Sequence, residues 1–159
     1  MSNIVEIEKQ AIKKTEKIIF SPYVKIFTDK SVTISKIERT DEYLRIDFIH
    51  HADPKYVSGG WVQMLPETFI RPEGTDQRLT LIKAEGIPLA PVKHFYKSIY
   101  ETLNYSLFFP RVSKDVEFID IIEKPGGDNT FFNFYGVAVS KIISKPILIR
   151  DIHWEYSGN

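Results

Sequence analysis

The stretch "VTISKIERTDEYLRIDFIH", residues 32–50, decides the fold class. Its second half alternates without interruption. Leu44, Ile46, Phe48 and His50 fall on one face, and Tyr43, Arg45, Asp47 and Ile49 on the other. A period of two marks a strand with one buried face, because successive side chains of an extended chain point to opposite sides. The first half starts the same way with Val32 and Ile34, then breaks phase before Ile37. Asp41 and Glu42 suit a tight connection, although the glycine of a strong hairpin signature is missing.

The same texture continues along the chain. "GWVQMLP" (60–66) sets Trp61, Gln63 and Leu65 against Val62 and Met64, and Trp61 is expected in the core. "TFIRP" (68–72) and "RLTLIKAEG" (78–86) follow. "TLNYSLFFP" (102–110) places Leu103, Tyr105, Leu107 and Phe109 together, and "VEFIDIIEK" (116–124) offers Val116, Phe118 and Ile122 to the core. In "TFFNFYGVAVS" (130–140), Phe131, Asn133, Tyr135, Val137 and Val139 lie on one side, and Phe132, Phe134, Gly136 and Ala138 on the other. A strand apolar on both faces is predicted to be central. Gly136 is expected to mark a bulge or a close backbone approach. Seven or more short strands, with turns about every 8 to 12 residues, predict an all-β antiparallel sandwich or barrel. No intervening segment is long enough for repeated helical crossovers.

Residues 3–19 carry Ile4, Ile7, Ala11, Thr15 and Ile18 at helical spacing, so residues 1–20 are expected to form a short amphipathic helix or arm. Residues 21–159 form the sandwich domain. Within them, 142–159 is expected to add an edge strand or a tail, because "ILIRDIHW" alternates Ile147, Ile149, Asp151 and His153 against Leu148, Arg150, Ile152 and Trp154.

Composition narrows the function classes. The 21 basic and 21 acidic residues cancel, which leaves no electrostatic footprint for nucleic acid or an anionic membrane surface. The chain has no cysteine, which removes disulfides, thiolate metal sites and cysteine nucleophiles but leaves the compartment undecided. No run approaches the roughly 20 apolar residues that span a bilayer. The amino terminus lacks the continuous apolar stretch of a secretory signal.

"HHADPKY" (50–56) is the most site-like cluster. His50, His51 and Asp53 are the candidate metal ligands. Consecutive histidines of a strand point apart, however, whereas zinc wants three or four convergent ligands, so no metal is expected. There is no G-x-S-x-G elbow, and no serine stands in a recognisable Ser-His-Asp context. "VSGGW" (57–61) lacks the lysine and helix of a phosphate loop. Asp120 and Glu123 fall on opposite faces of a strand and are expected to be solvated charges. The 11 Phe, 8 Tyr and 2 Trp are enough for a sugar-stacking surface, but core is their commoner use.

"VTISKIERTDEYLRIDF", "GGWVQMLPETFIRPEG", "LTLIKAEGIPL" and "YSLFFPRVSKDVEFIDIIEKPGGDNTFFNFYGVAV" occur in that order across residues 31–139. Together they resemble an uncharacterised immunoglobulin-like β-sandwich module of bacterial envelope proteins, often found ahead of thioredoxin-like or peptidase domains. The matching positions include Thr40, Asp41, Gly60, Trp61, Pro66, Phe118, Asp120, Glu123, Tyr135 and Gly136. The chain has "PRV" where that family prefers "PPL". The resemblance implies an immunoglobulin-like sandwich with an accessory role in the envelope, and it carries no catalytic motif.

The expected function is therefore a non-catalytic interaction module that binds another protein, with no cofactor and no nucleic acid. Its candidate contacts are the exposed "EGIPL" loop (Glu85, Gly86, Ile87, Pro88 and Leu89) together with Tyr96, Tyr100 and Trp154. The alternative is a module for carbohydrate or a small ligand, using Tyr96, Tyr100 or Trp154 as stacking surfaces. A third class is a metal-dependent enzyme at His50, His51 and Asp53. Solvent exposure separates them. Aromatics open in a groove favour a ligand, converging histidines a metal, and a bare edge strand a protein partner.

Overall fold

A computed structural model describes residues 15–140. These residues form twelve strands: β1 (Thr15–Phe20), β2 (Val24–Phe27), β3 (Val32–Thr40), β4 (Tyr43–His51), β5 (Trp61–Val62), β6 (Phe69–Pro72), β7 (Leu79–Thr80), β8 (Lys83–Glu85), β9 (His94–Phe95), β10 (Thr102–Pro110), β11 (Phe118–Ile122) and β12 (Asn133–Ala138). One five-stranded sheet has the order β1-β3-β4-β10-β8, and a second has the order β2-β12-β11-β6-β7. β5 and β9 pair in a separate two-stranded ribbon. Every ladder is antiparallel. The inner faces of the two main sheets share one core, in which the rings of Phe48 and Phe134 meet across the sheets at 5.8 Å. No helix among the described residues is long and apolar enough to cross a membrane.

The β3–β4 connection works without glycine because a side chain supplies the turn. Thr40 Oγ1 accepts the backbone N–H groups of Glu42 (3.1 Å) and Tyr43 (2.9 Å). The phase break in β3 is a bulge. Ile34 faces Phe48 and Lys36 faces Asp47, so Ser35 is the extra residue. Val32, Ile34 and Ile37 can then all be buried.

A second bulge shapes β12. Phe134 pairs with Ile121 and Val137 with Ile119, so Tyr135 and Gly136 together oppose Asp120. Gly136 sits at φ +67, and a Cβ there would come within 2.5 Å of the Lys25 side chain. Asp120 Oδ1 accepts the Gly136 N–H at 2.9 Å, and Oδ2 accepts Arg71 Nε at 3.0 Å. The inserted residue reverses the alternation, which places Phe132, Phe134, Val137 and Val139 in the common core. Phe132 and Val137, expected on opposite faces, therefore point the same way. The strand is central, as expected, between β2 and β11. On β11 Ile119 and Ile121 enter the shared core and Ile122 is buried as expected, whereas Val116 only packs against the core margin and Phe118 is half-buried under Lys25 at 4.4 Å.

At the amino end, Thr15–Phe20 is a strand and not the end of a helix. Its backbone pairs with β3, and Ile19 is buried while Ile18 and Phe20 are exposed. A ladder partner plus one buried residue outweighs a helical period too short to nucleate alone. The remainder of the expected helix, the segment 142–159 and its Trp154 lie outside the described residues. Arg39, buried at the end of β3, donates to the carbonyls of Ser113 (2.7 Å), Val116 (3.1 Å) and Val139 (2.7 Å).

Candidate functional site

A cleft of about 1280 Å³ opens at one end of the two sheets. Its walls come from the β2–β3 turn, the end of β4 with the following 52–60 loop, the β5–β9 ribbon, and the 129–132 segment before β12. These segments are distant in sequence, and the sheet pairing brings them together.

His50 is the last inward residue of β4 and is buried on the cleft floor. Its Nδ1 lies 2.7 Å from the Tyr96 hydroxyl, and its Nε2 lies 3.2 Å from Ser31 Oγ. The Ser31 hydroxyl donates to Asp29 Oδ1 at 2.5 Å. One proton assignment satisfies the whole chain: Tyr96 donates to Nδ1, and Nε2–H donates to Ser31. Burial lowers the His50 pKa below the usual histidine value, the nearest opposing influence being Asp29, so the neutral ring is favoured. Burial and then Glu101 push the Tyr96 phenol up to about 12, so it stays a donor.

Glu123 closes the floor at the end of β11. Its Oε2 accepts the Leu65 N–H at 3.1 Å, and its Oε1 accepts the Phe132 N–H at 2.8 Å. Burial raises its pKa, and the two backbone bonds act against that rise. Asp120 and Glu123 are both buried, contrary to the expectation of solvated charge, because the backbone N–H groups of Leu65 and Phe132 occupy the Glu123 carboxylate, and the Gly136 N–H and the Arg71 guanidinium occupy that of Asp120.

Trp61, Gln63 and Leu65 form one stripe down the cleft wall. The alternation predicted for this segment is correct, but its faces are exchanged. Val62 and Met64 are the buried pair, and Trp61 is 48% exposed. The Val62 and Met64 side chains occupy the interior, which leaves the indole at the rim. Phe95, 64% exposed, is the direct cross-strand neighbour of Trp61, and Lys93 Nζ stands 4.5 Å from the indole centroid. Tyr56 completes the open aromatic rim. Its ring lies against Gly60, where a Cβ would approach it to 3.1 Å. Below this rim, Gln63 Oε1 is buried without a hydrogen-bond partner.

The candidates named from sequence separate into distinct groups. His50, His51, Asp53 and Tyr96 all line the cleft. His50 and His51 do not converge, since His50 is buried with both ring nitrogens engaged and His51 is exposed. Asp53 Oδ1 accepts the Lys55 N–H in its own turn. Among the described residues, no group of three or more His, Cys, Asp or Glu could hold a metal. Tyr96, expected as an exposed stacking surface, is only 4% exposed, because its hydroxyl is spent on His50. Tyr100 is exposed but does not line the cleft. Of the Glu85–Leu89 loop, Ile87 is core, and Glu85 and Leu89 present side chains to solvent. The same loop holds the wall from behind. Pro88 O accepts Met64 N–H (3.0 Å), and Ala90 N–H donates to Met64 O (2.9 Å).

Sequence reasoning missed Ser31, Gln63 and Glu123. The "DKS" turn of Asp29 and Ser31 is a readable local signal, but its approach to His50 is set by the β3–β4 register, in which Val32 faces His50. Compared with known proteins, the chain matches no family model, no curated protein and no solved structure.

Proposed function

We propose that this chain is an immunoglobulin-like accessory module that binds a neutral, hydroxyl-rich ligand of the carbohydrate class in the cleft. The observation that carries this is the rim: Trp61 and Phe95 are paired across the ribbon and open to solvent, above a floor of hydrogen-bonding groups. Concave sites with apolar walls and a few placed polar groups are the usual form of small-ligand sites. Flat rings offer the C–H face of a sugar a large contact at little conformational expense.

The test is calorimetric titration with cellotetraose, chitotetraose, maltotetraose and xylotetraose at about millimolar concentration. At least one is expected to bind the wild-type chain. Trp61→Ala is expected to abolish that binding while costing about 1 kcal/mol of stability or less. Silence from all four, or binding that survives in Trp61→Ala, overturns the proposal.

A protein partner is a second reading, favoured by β2. It is an edge strand among the described residues, with Ile26 61% and Phe27 46% exposed. Such an edge is a template for strand addition. Pull-downs with wild type and Ile26→Lys test it, and a partner retained equally by both excludes this edge.

A further inference from the structure

We propose that the Tyr96–His50 hydrogen bond is a proton-sensitive tether of the Trp61–Phe95 ribbon, and that protonation of His50 removes its acceptor and loosens the cleft rim. This goes beyond the carbohydrate-binding proposal and does not depend on it.

The ribbon is small. β5 and β9 pair at Trp61 with Phe95 and at Val62 with His94, and among the described residues they form no ladder with either main sheet. Tyr96, the next residue after Phe95, joins the ribbon to β4. Its N–H donates to the carbonyl of Gly60, the residue before Trp61, at 3.0 Å. Its hydroxyl donates to Nδ1 of His50 at 2.7 Å. Its side chain also closes on Gly59, which sits at φ +92 and where a Cβ would stand 3.2 Å from the Tyr96 Cβ. Farther along the same wall, the carbonyl of Pro88 and the N–H of Ala90 hold Met64. The end that Tyr96 controls is therefore the rim.

His50 can serve this bond only when neutral. An imidazolium carries a proton on each ring nitrogen and accepts nothing. Nε2–H is already engaged with Ser31 Oγ, whose own proton goes to Asp29 Oδ1, so the added proton must sit on Nδ1. The Tyr96 hydroxyl then has to turn from donor to acceptor. For its own proton the nearby acceptor is the His50 carbonyl, at 3.5 Å. Tyr96 is buried, and a buried donor left without a partner is costly, so displacement of the side chain relieves it.

The groups that bear on His50 come from each element around it. Burial, the largest influence, opposes the charged ring, as do His51 beside it and His94 on β9. Asp29 in the β2–β3 turn and Asp53 in the 52–60 loop favour it. The Phe132 ring, 5.4 Å away, is uncharged, and Lys30, Lys55 and Glu123 also line the cleft. Burial keeps the ring neutral near neutrality and leaves its protonation to mildly acidic conditions.

The experiment is an NMR titration of the wild-type chain, without ligand, from about pH 7.5 to about pH 4.5. It follows the His50 Cε1–H resonance, assigned by its loss in His50→Gln, and the Trp61 indole N–H, assigned by its loss in Trp61→Ala. Both are expected to shift with one midpoint, below that of an ordinary histidine, while the amide of Ile46 in the core stays in place. The Trp61 shift is expected to vanish in His50→Gln and in Tyr96→Phe and to persist in His51→Gln and His94→Gln. A Trp61 resonance that stays still while His50 titrates overturns the tether. So does a Trp61 shift that survives in His50→Gln or Tyr96→Phe, one that is lost in His94→Gln, or one that the Ile46 amide shares. Because no ligand enters the measurement, such a failure leaves the carbohydrate proposal standing.

Discussion

β12 and the Trp61–Leu65 segment look alike in sequence and end in opposite places. Each is a short alternating apolar stretch with glycine close by. β12 has hydrogen-bonded neighbours on both sides and is buried to its last residue. β5 has one neighbour, β9, and turns its largest side chain to solvent. Alternation therefore specifies that faces exist, and the number of partners specifies which of them meets water. The glycines differ in the same sense. Gly136 inside the ladder reverses the phase, whereas Gly60 outside it gives room to Tyr56.

The largest test of this contrast is Val137→Asp. Val137 is fully buried in the shared core, so the new carboxylate has no partner, and a loss of about 4 kcal/mol or more is expected. Phe132→Asp should cost less, since that residue borders the cleft and water can reach it. Urea midpoints decide, and an unchanged Val137→Asp midpoint would break the assignment of β12 to the interior.

Gly136→Ala should cost about 1–2 kcal/mol, the usual penalty for a side chain in the left-handed region, with displacement of Lys25 added. A midpoint equal to wild type would mean that the bulge is not where the pairing places it.

A smaller effect concerns pH. The unfolded chain protonates His50 near 6.5, and the folded chain holds the ring neutral to lower pH. The stability this contributes is complete above about 6.5 and declines as pH falls through the window down to the folded value. Glu123 works in the other direction. Its folded pKa lies above the ordinary 4.5, so falling pH through that interval adds stability. Midpoints measured from about pH 7.5 down to 5 should decline less steeply in His50→Gln and more steeply in Glu123→Gln. Identical profiles in all three proteins would remove both groups from the account.

The smallest expected effect is the most diagnostic. Trp61→Ala should cost about 1 kcal/mol or less, against about 3–5 kcal/mol for truncation of a core tryptophan. A midpoint drop in the larger range would return Trp61 to the interior and close the rim.

The strands themselves were legible because period two is written locally. Residues 43–50 alternate as folded, and on β10 Tyr105, Leu107 and Phe109 are buried as expected, although Ser106 and Phe108 between them are buried too. What was not legible lies between segments. Which side of β11 meets the core depends on where β12 bulges, and that is settled by the pairing of Val137 with Ile119. Asp120 and Glu123 look like surface charge until the unpaired N–H groups of Gly136, Leu65 and Phe132 are brought to them. The helical spacing of Ile4 to Ile18 is real as a pattern, yet over Thr15–Phe20 the free edge of β3 outweighs it. The cleft was half visible. "HHADPKY" was singled out for its possible metal ligands and lines the cleft, whereas Trp61 of the rim was assigned to the core.

Arg39 has a consequence for the order of assembly. Its guanidinium cannot lose its charge, and it collects carbonyls from Ser113, Val116 and Val139, the last 100 residues away in the chain. Before those segments pack against it the guanidinium is solvated, so these contacts form a latch that closes only when Val139 arrives. The protein should consequently form its two sheets in one late, concerted step, at a rate governed by its longest closure. Hydrogen-exchange labelling during refolding would show the amides of β3 and β12 gaining protection together, and early protection confined to β3 and β4 would show that the cation does not act as this latch.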